Sequence, residues 1–153
     1  MKRHMTSYAE RLSPSLPVYI AVVLVIPASI LIFAPINLVL GVVIGIVLFI
    51  ACVVALVLGS PIVRVGDGEL RAGAARIAVA HVGEVDGFRG DAAIAQTRTR
   101  LDARAWIVLR GWVKPVVRVE IVDPHDPVPY WLVSSRHPEQ LRDAILAEKS
   151  AQR

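Results

Sequence analysis

Hydrophobic and polar positions divide this chain into three stretches with sharp boundaries. Between Arg11 and Arg64 there is no Asp, Glu, Lys, Arg or His. Inside that interval lie two continuous apolar runs, Leu16 to Phe33 and Leu38 to Leu58, separated only by Ala34, Pro35, Ile36 and Asn37. A helix rises about 1.5 Å per residue and a hydrocarbon core is about 30 Å thick, so about 20 apolar residues cross it. The second run meets that length. The first is shorter, carries Pro17, Tyr19, Pro27 and Ser29, and spans if the bilayer thins slightly or Ala34 and Pro35 stay at the interface. Pro27 predicts a kink, its missing hydrogen bond covered by the partner helix or by Ser29.

After Gly59, Ser60 and Pro61 the pattern changes to short alternating runs, which predict strands. Ile62 to Val65, the turn Gly66-Asp67-Gly68 and the return Glu69 to Ala72 form a strong hairpin signal. Arg76 to Ala80, Gly83 to Phe88, Trp106 to Leu109, Val116 to Val122 and Tyr130 to Ser134 supply further strands rich in β-branched and aromatic residues. Gly90 to Arg104 is Ala-rich and polar, and reads as a loop, a short helix or a poorly ordered excursion. Pro138 with Glu139 opens a helix whose Leu141, Ala144, Ile145 and Leu146 recur at helical spacing up to about Lys149.

The fold class expected is a membrane α-helical hairpin followed by a small antiparallel β barrel or roll closed by a C-terminal helix, an α+β plan with pleckstrin-homology-like topology. The divisions are a basic N-terminal segment 1–15, the hairpin 16–58, the β-rich domain 59–149 and a tail 150–153. Lys2, Arg3 and Arg11 precede the first run, Arg64, Arg71 and Arg76 follow the second, and the turn carries no positive charge. The positive-inside rule then puts both termini in the cytoplasm of a multi-pass plasma (inner) membrane protein. No small-residue cleavage site follows Phe33, and a second full run comes almost at once, so the first run is expected to be retained rather than removed as a signal peptide.

Gly41 and Gly45 form a Gly-x-x-x-Gly spacing, which either packs the second helix on the first or makes a homodimer. Neither run holds an Asp, Glu, Lys, Arg or His, which leaves no charged proton relay or ion pathway for a transporter or channel. Over 153 residues the chain is 55% hydrophobic, with formal net charge +4. Its mean hydropathy is +0.57 and its pI near 9.7. A lipid bilayer with anionic headgroups explains that basicity more simply than nucleic acid, which is not expected as a partner. The lone Cys52 sits inside the second run as a small hydrophobe and forms no intramolecular disulfide.

Candidate chemistry is sparse. Arg98, Arg100, Arg104 and Arg110, interleaved with Trp106 and Trp112, form a basic run suited to anionic lipid headgroups or a membrane protein partner, or else a solvated strand edge with the tryptophans in the core. Asp123, His125 and Asp126, with Arg136, are the one polar group close enough for acid/base chemistry. The plainer reading of the first three is a turn whose aspartates cap backbone amides, stiffened by Pro124, Pro127 and Pro129. His4, His81, His125 and His137 are scattered without zinc-site spacing, so no metal or cofactor is expected. Ser134 and Ser135 lack a nearby histidine and orienting acid, which makes them weak nucleophile candidates. An enzyme or enzyme subunit acting on a membrane-associated substrate is therefore the alternative to a non-enzymatic binding module.

Several stretches together resemble a family of small actinobacterial membrane proteins classified as a domain of unknown function. They are Tyr8-Ala9-Glu10-Arg11-Leu12-Ser13-Pro14, Gly68 to Arg76, Asp102 to Gly111, and Asp123 to Arg136 followed by a Pro-led helix. The Asp-Pro-x-Asp-Pro-x-Pro-Tyr-Trp string is the most specific of them, and Val128 replaces the Thr usual between its later prolines. The resemblance implies membrane location and architecture, and it carries no catalytic residue.

Overall fold

The computed structural model describes residues 6–152. The chain divides into two compact units: Ser13–Ser60, and a second made of the chain up to Leu12 together with Pro61 onward.

The first unit is helical. The helices α1 (Leu16–Val23) and α2 (Val25–Phe33) are separated at Leu24. Pro27 has no N–H to give the Val23 carbonyl one turn back, and the helix breaks within that turn, where the kink is expected. The third helix, α3 (Leu38–Leu58), opens with Asn37, whose side chain accepts the Leu40 N–H at 3.2 Å. Helices α2 and α3 pack on each other through Gly41 and Gly45, both buried. The Gly41 face lies over Ile30 and Phe33, and that of Gly45 over Ile26 and Ser29. These glycines therefore bring the two helices into close contact within the hairpin. The remaining surface is apolar and exposed, with Leu31, Ile32, Val39 and Leu58 each more than two-thirds exposed.

The second unit holds two four-stranded sheets. The first sheet takes β1 (Thr6–Arg11), β2 (Ile62–Gly66), β3 (Glu69–Ala72) and β4 (Ala75–Ala78) in that order, all antiparallel. The β2–β3 turn has both Asp67 and Gly68 at positive φ, +57° and +77°, which matches the right-handed twist of a two-residue hairpin. The second sheet contains β5 (Val82–Phe88), β6 (Trp106–Val108), β7 (Val116–Ile121) and β8 (Tyr130–Ser134) in the order β5-β7-β8-β6. A short helix α4 (Gly90–Thr97) follows β5, and α5 (Pro138–Ala151) closes the chain.

Two expectations change here. The N-terminal segment, read as a separate basic stretch 1–15, supplies β1, whose Arg11 pairs with Ile62, which follows the apolar helices in the sequence. The Leu12 N–H then bonds the Pro61 carbonyl at 2.9 Å and extends that ladder by one step. Instead of a single antiparallel barrel there are two sheets, and β6 runs parallel to β8, since the excursion through α4 returns the chain to the sheet edge in the same direction as β8.

Both sheets contribute to one core. Val63, Val65, Leu70 and Ile77 from the first meet Val82, Val117, Val119, Trp131 and Val133 from the second, with Leu141 and Ile145 of α5 among them. The opposite face of the second sheet is covered by Ala93 of α4 with Leu101, Ala105 and Leu109. Strand β8 is accordingly buried at every position, and Tyr130 to Val133 read as an unbroken apolar run ended by the buried Ser134.

Candidate functional site

Alternation along the first sheet sends Val63, Val65, Leu70 and Ile77 inward and leaves Arg64, Arg71 and Arg76 exposed. Register places Arg64 directly opposite Arg71, and Arg71 directly opposite Arg76. Directly paired residues of adjacent strands share one face, so three guanidinium side chains stand in a row across neighbouring strands at about 4.8 Å strand spacing. Like charges so placed repel each other. Glu69 relieves part of this by accepting from Arg71 Nη2 at 3.0 Å and Nε at 3.2 Å. An open cleft of about 270 Å³ on this hairpin is lined by Arg64, Asp67, Glu69 and Arg71, so its charges balance.

A second cleft of about 200 Å³ lies beside the C-terminal end of α4. Arg98, Arg110 and Lys114 line it together with Ile94, Leu109 and Val116, and no carboxylate does. Arg110 is fixed there. Its N–H donates to Ser134 Oγ at 3.1 Å, its Nη1 to the Leu109 carbonyl at 2.8 Å, and its own carbonyl accepts the Val113 N–H at 2.9 Å.

The basic run expected to act together is thus divided. Arg98 and Arg110 share the cleft, joined by Lys114, which no pattern signalled because Trp112 and Val113 separate it from Arg110. Arg100 is exposed and outside the lining, and Arg104 folds back on Asp102 with Nη2 to Oδ2 at 3.0 Å. That hydrogen bond lowers the Asp102 carboxyl below its ordinary range and raises the Arg104 guanidinium. The tryptophans also part company. Trp106 is 42% exposed on the edge strand, whereas Trp112 packs against the core and gives its Nε1 hydrogen to the Leu12 carbonyl.

The polar group 123–126 adopts the turn. Asp123 Oδ1 accepts the His125 N–H and Asp126 Oδ1 accepts the Val128 N–H, each at 2.9 Å. The His125 amide, followed by the nearby His81 ring, holds the Asp123 carboxyl below its ordinary range. Among the described residues no three His, Cys, Asp or Glu side chains come together as a metal site. Arg136 does not join this group: its Nη1 lies 3.8 Å from Glu10 Oε1, because β8 carries it to the opposite end of its strand. Ser135 is fully buried and donates to Glu10, while Ser134 Oγ donates to the Val113 carbonyl. Neither hydroxyl contacts an imidazole among the described residues, and both act as structural bridges.

Glu10 is the polar centre that sequence reasoning missed. Its side chain is 9% exposed and accepts from Tyr8 Oη, Ser135 Oγ and the Arg136 N–H at 2.6, 2.6 and 2.9 Å. Burial and the hydrogen bond to Glu10 push the Tyr8 phenol up to about 12.

No curated protein and no solved structure matches the chain. A family model does match residues 7–145, described as a protein of unknown function, and the chain therefore belongs to the DUF3093 family.

Proposed function

We propose that this protein is a membrane-anchored, non-enzymatic module whose β domain engages anionic lipid headgroups. In this reading the apolar hairpin crosses the plasma (inner) membrane with both termini cytoplasmic. The carrying observation is the pairing of Arg11 with Ile62: the strands that enter and leave the hairpin are hydrogen-bonded neighbours. Paired strands lie on one side of a bilayer, so the two apolar helices between them enter and return as a pair. Their lengths, 18 and 21 residues, and their exposed apolar surface support crossing.

The row Arg64, Arg71 and Arg76 supports the headgroup reading. Each basic side chain near an anionic leaflet contributes about 1 kcal/mol, and less where a carboxylate lies beside it, as Glu69 does beside Arg71. The packed sheets with their C-terminal helix support a pleckstrin-homology-like plan, from which the parallel strand β6 departs. A protein partner or a second copy is the other reading, favoured by Trp106 and Ile107, both more than 40% exposed on edge strand β6. The enzyme reading has less support, since Arg136 lies beside Glu10 and apart from Asp123, His125 and Asp126.

The test uses the full chain with Cys52→Ala and a fluorophore on Ala78→Cys, an exposed position of the first sheet. It is reconstituted in phosphatidylcholine vesicles with or without phosphatidylglycerol. Acrylamide quenching should fall severalfold with the anionic lipid and recover in R64Q/R71Q/R76Q. Equal quenching in both vesicles would refute headgroup binding, and release of the chain from vesicles by alkaline carbonate would refute the anchor.

A further inference from the structure

We infer that the open edge of β6 takes up an extended segment of a partner protein, in which acidic and apolar residues alternate, as a further strand of the second sheet. The inference goes beyond the headgroup reading and does not depend on it, because it rests on the backbone and charge of the β domain alone. The order β5-β7-β8-β6 makes β5 and β6 the two edges of that sheet, and they are finished differently. At β5, Lys149 Nζ donates to the Val82 and Gly83 carbonyls at 2.6 and 3.1 Å, and the Glu84 N–H donates to Glu120 Oε2 at 3.0 Å. A Cβ at Gly87 would lie 3.3 Å from Pro138 Cβ, so α5 meets this edge at both of its ends.

Strand β6 has no such cover. Its inner side pairs with β8 in parallel, which sets Trp106 beside Trp131 and Ile107 beside Leu132. Among the described residues, the backbone of Trp106–Val108 makes no hydrogen bond beyond that ladder. Its outward N–H and C=O groups are therefore open to another chain. The side chains agree with this. Successive residues point to opposite faces, and Trp106 and Ile107 are 42% and 44% exposed although Trp131 and Leu132 beside them are buried. An added strand would cover one large apolar side chain on each face of the sheet.

Charge decides which kind of strand fits. The segment 98–114, which brackets β6, holds Arg98, Arg100, Arg104, Arg110 and Lys114 against the single acid Asp102. These are five of the 17 Lys and Arg and one of the 13 Asp and Glu, a net of +4, and the remaining 12 of each sign cancel. The whole formal net charge of the chain thus comes from the segment around this edge. That excess holds whichever neighbours the individual side chains meet: Arg104 pairs with Asp102 at 3.0 Å and its side chain is still 72% exposed. Like charges disfavour the pairing of two such edges with each other, which argues against a second copy, and they favour an acidic strand.

The probe is the acetylated and amidated peptide Glu-Val-Glu-Val-Glu-Val-Glu, added to the full chain in dodecyl-maltoside micelles while amide hydrogen exchange is followed. At millimolar peptide the segment 106–108 should exchange about threefold more slowly, the effect of one added hydrogen bond. R100Q/R104Q, which removes two exposed cations, should raise the peptide concentration needed severalfold, as should W106A. R64Q/R71Q/R76Q, on the first sheet, should leave it unchanged. Absence of protection at 106–108 would overturn the assignment. So would equal protection by the analogue with lysine in place of glutamate, or by the same peptide N-methylated at its three central residues, which cannot pair as a strand. Protection of 106–108 by phosphatidylglycerol added to the micelles, with none from the peptide, would also overturn it and assign the edge to a lipid surface.

Discussion

The Ser135 hydroxyl donates to Glu10 Oε2 at 2.6 Å, joining the strand before the apolar helices to the segment that leads into the last helix. The same carboxylate holds the Arg136 N–H at 2.9 Å. Replacing Glu10 by Ala leaves a fully buried hydroxyl and a backbone N–H without an acceptor. The expected cost is about 2–4 kcal/mol, against about 1–3 kcal/mol for Ser135→Ala, which removes one donor to Glu10 and the acceptor of the His137 N–H. Chemical denaturation of the full chain in micelles, followed by tryptophan fluorescence, compares the two.

Tyr8 gives that contact a dependence on alkaline pH. Its phenol stays protonated to about 12 in the folded protein, against 10.0 when unperturbed. Above pH 10 the unfolded chain loses this proton while the folded chain keeps it, so the contribution is complete below pH 10 and is lost as pH rises from 10 to 12. Thermal unfolding of wild type and Tyr8→Phe across pH 9–12 isolates it. The midpoint of the wild type should fall more steeply over that window.

Within the helical hairpin, side chains added at Gly41 or Gly45 meet backbone. A Cβ at Gly41 would lie 3.1 Å from Ile30 Cα, and one at Gly45 3.2 Å from Ile26 Cα. Neither atom is the end of a flexible side chain that could turn aside. Gly41→Leu and Gly45→Leu should each weaken the helix pair by about 1–3 kcal/mol. Resistance to unfolding in mixed micelles measures this, and Leu substitution at lipid-compatible Val47, which is 59% exposed, should have little effect.

The Asp123 turn separates architecture from chemistry. Asp123→Asn keeps an oxygen for the His125 N–H, whereas Asp123→Ala does not. The account expects Asn to preserve both the melting temperature and the cellular phenotype, with Ala lowering the first. Loss of phenotype in the Asn variant at unchanged melting temperature would instead assign the carboxylate a chemical role.

Much of this architecture was legible as pattern. The hairpin was visible because lipid-compatible sequence tolerates no charge, and the strands Ile62–Gly66, Val116–Ile121 and Tyr130–Ser134 because their apolar side chains face a core. Strand Thr6–Arg11 was not, since it is a polar edge strand specified by a partner beyond the helices. The parallel placement of Trp106–Val108 depends likewise on a distant strand. At the candidate sites, Arg98 and Arg110 carried a signal through their charge. Their convergence with Lys114, and the cross-strand row of Arg64, Arg71 and Arg76, follow from loop path and register, which local sequence does not encode.

The central claim is that the apolar helices cross a bilayer as a pair while the strands flanking them stay on one side. Sided labelling in sealed right-side-out membrane vesicles tests it most directly, with Ile36→Cys in the turn and Ala151→Cys at the end of the last helix, each in a Cys52→Ala background. The account predicts that an impermeant maleimide modifies position 36 in intact vesicles and position 151 only after permeabilisation. Modification of both positions from the same side would contradict it.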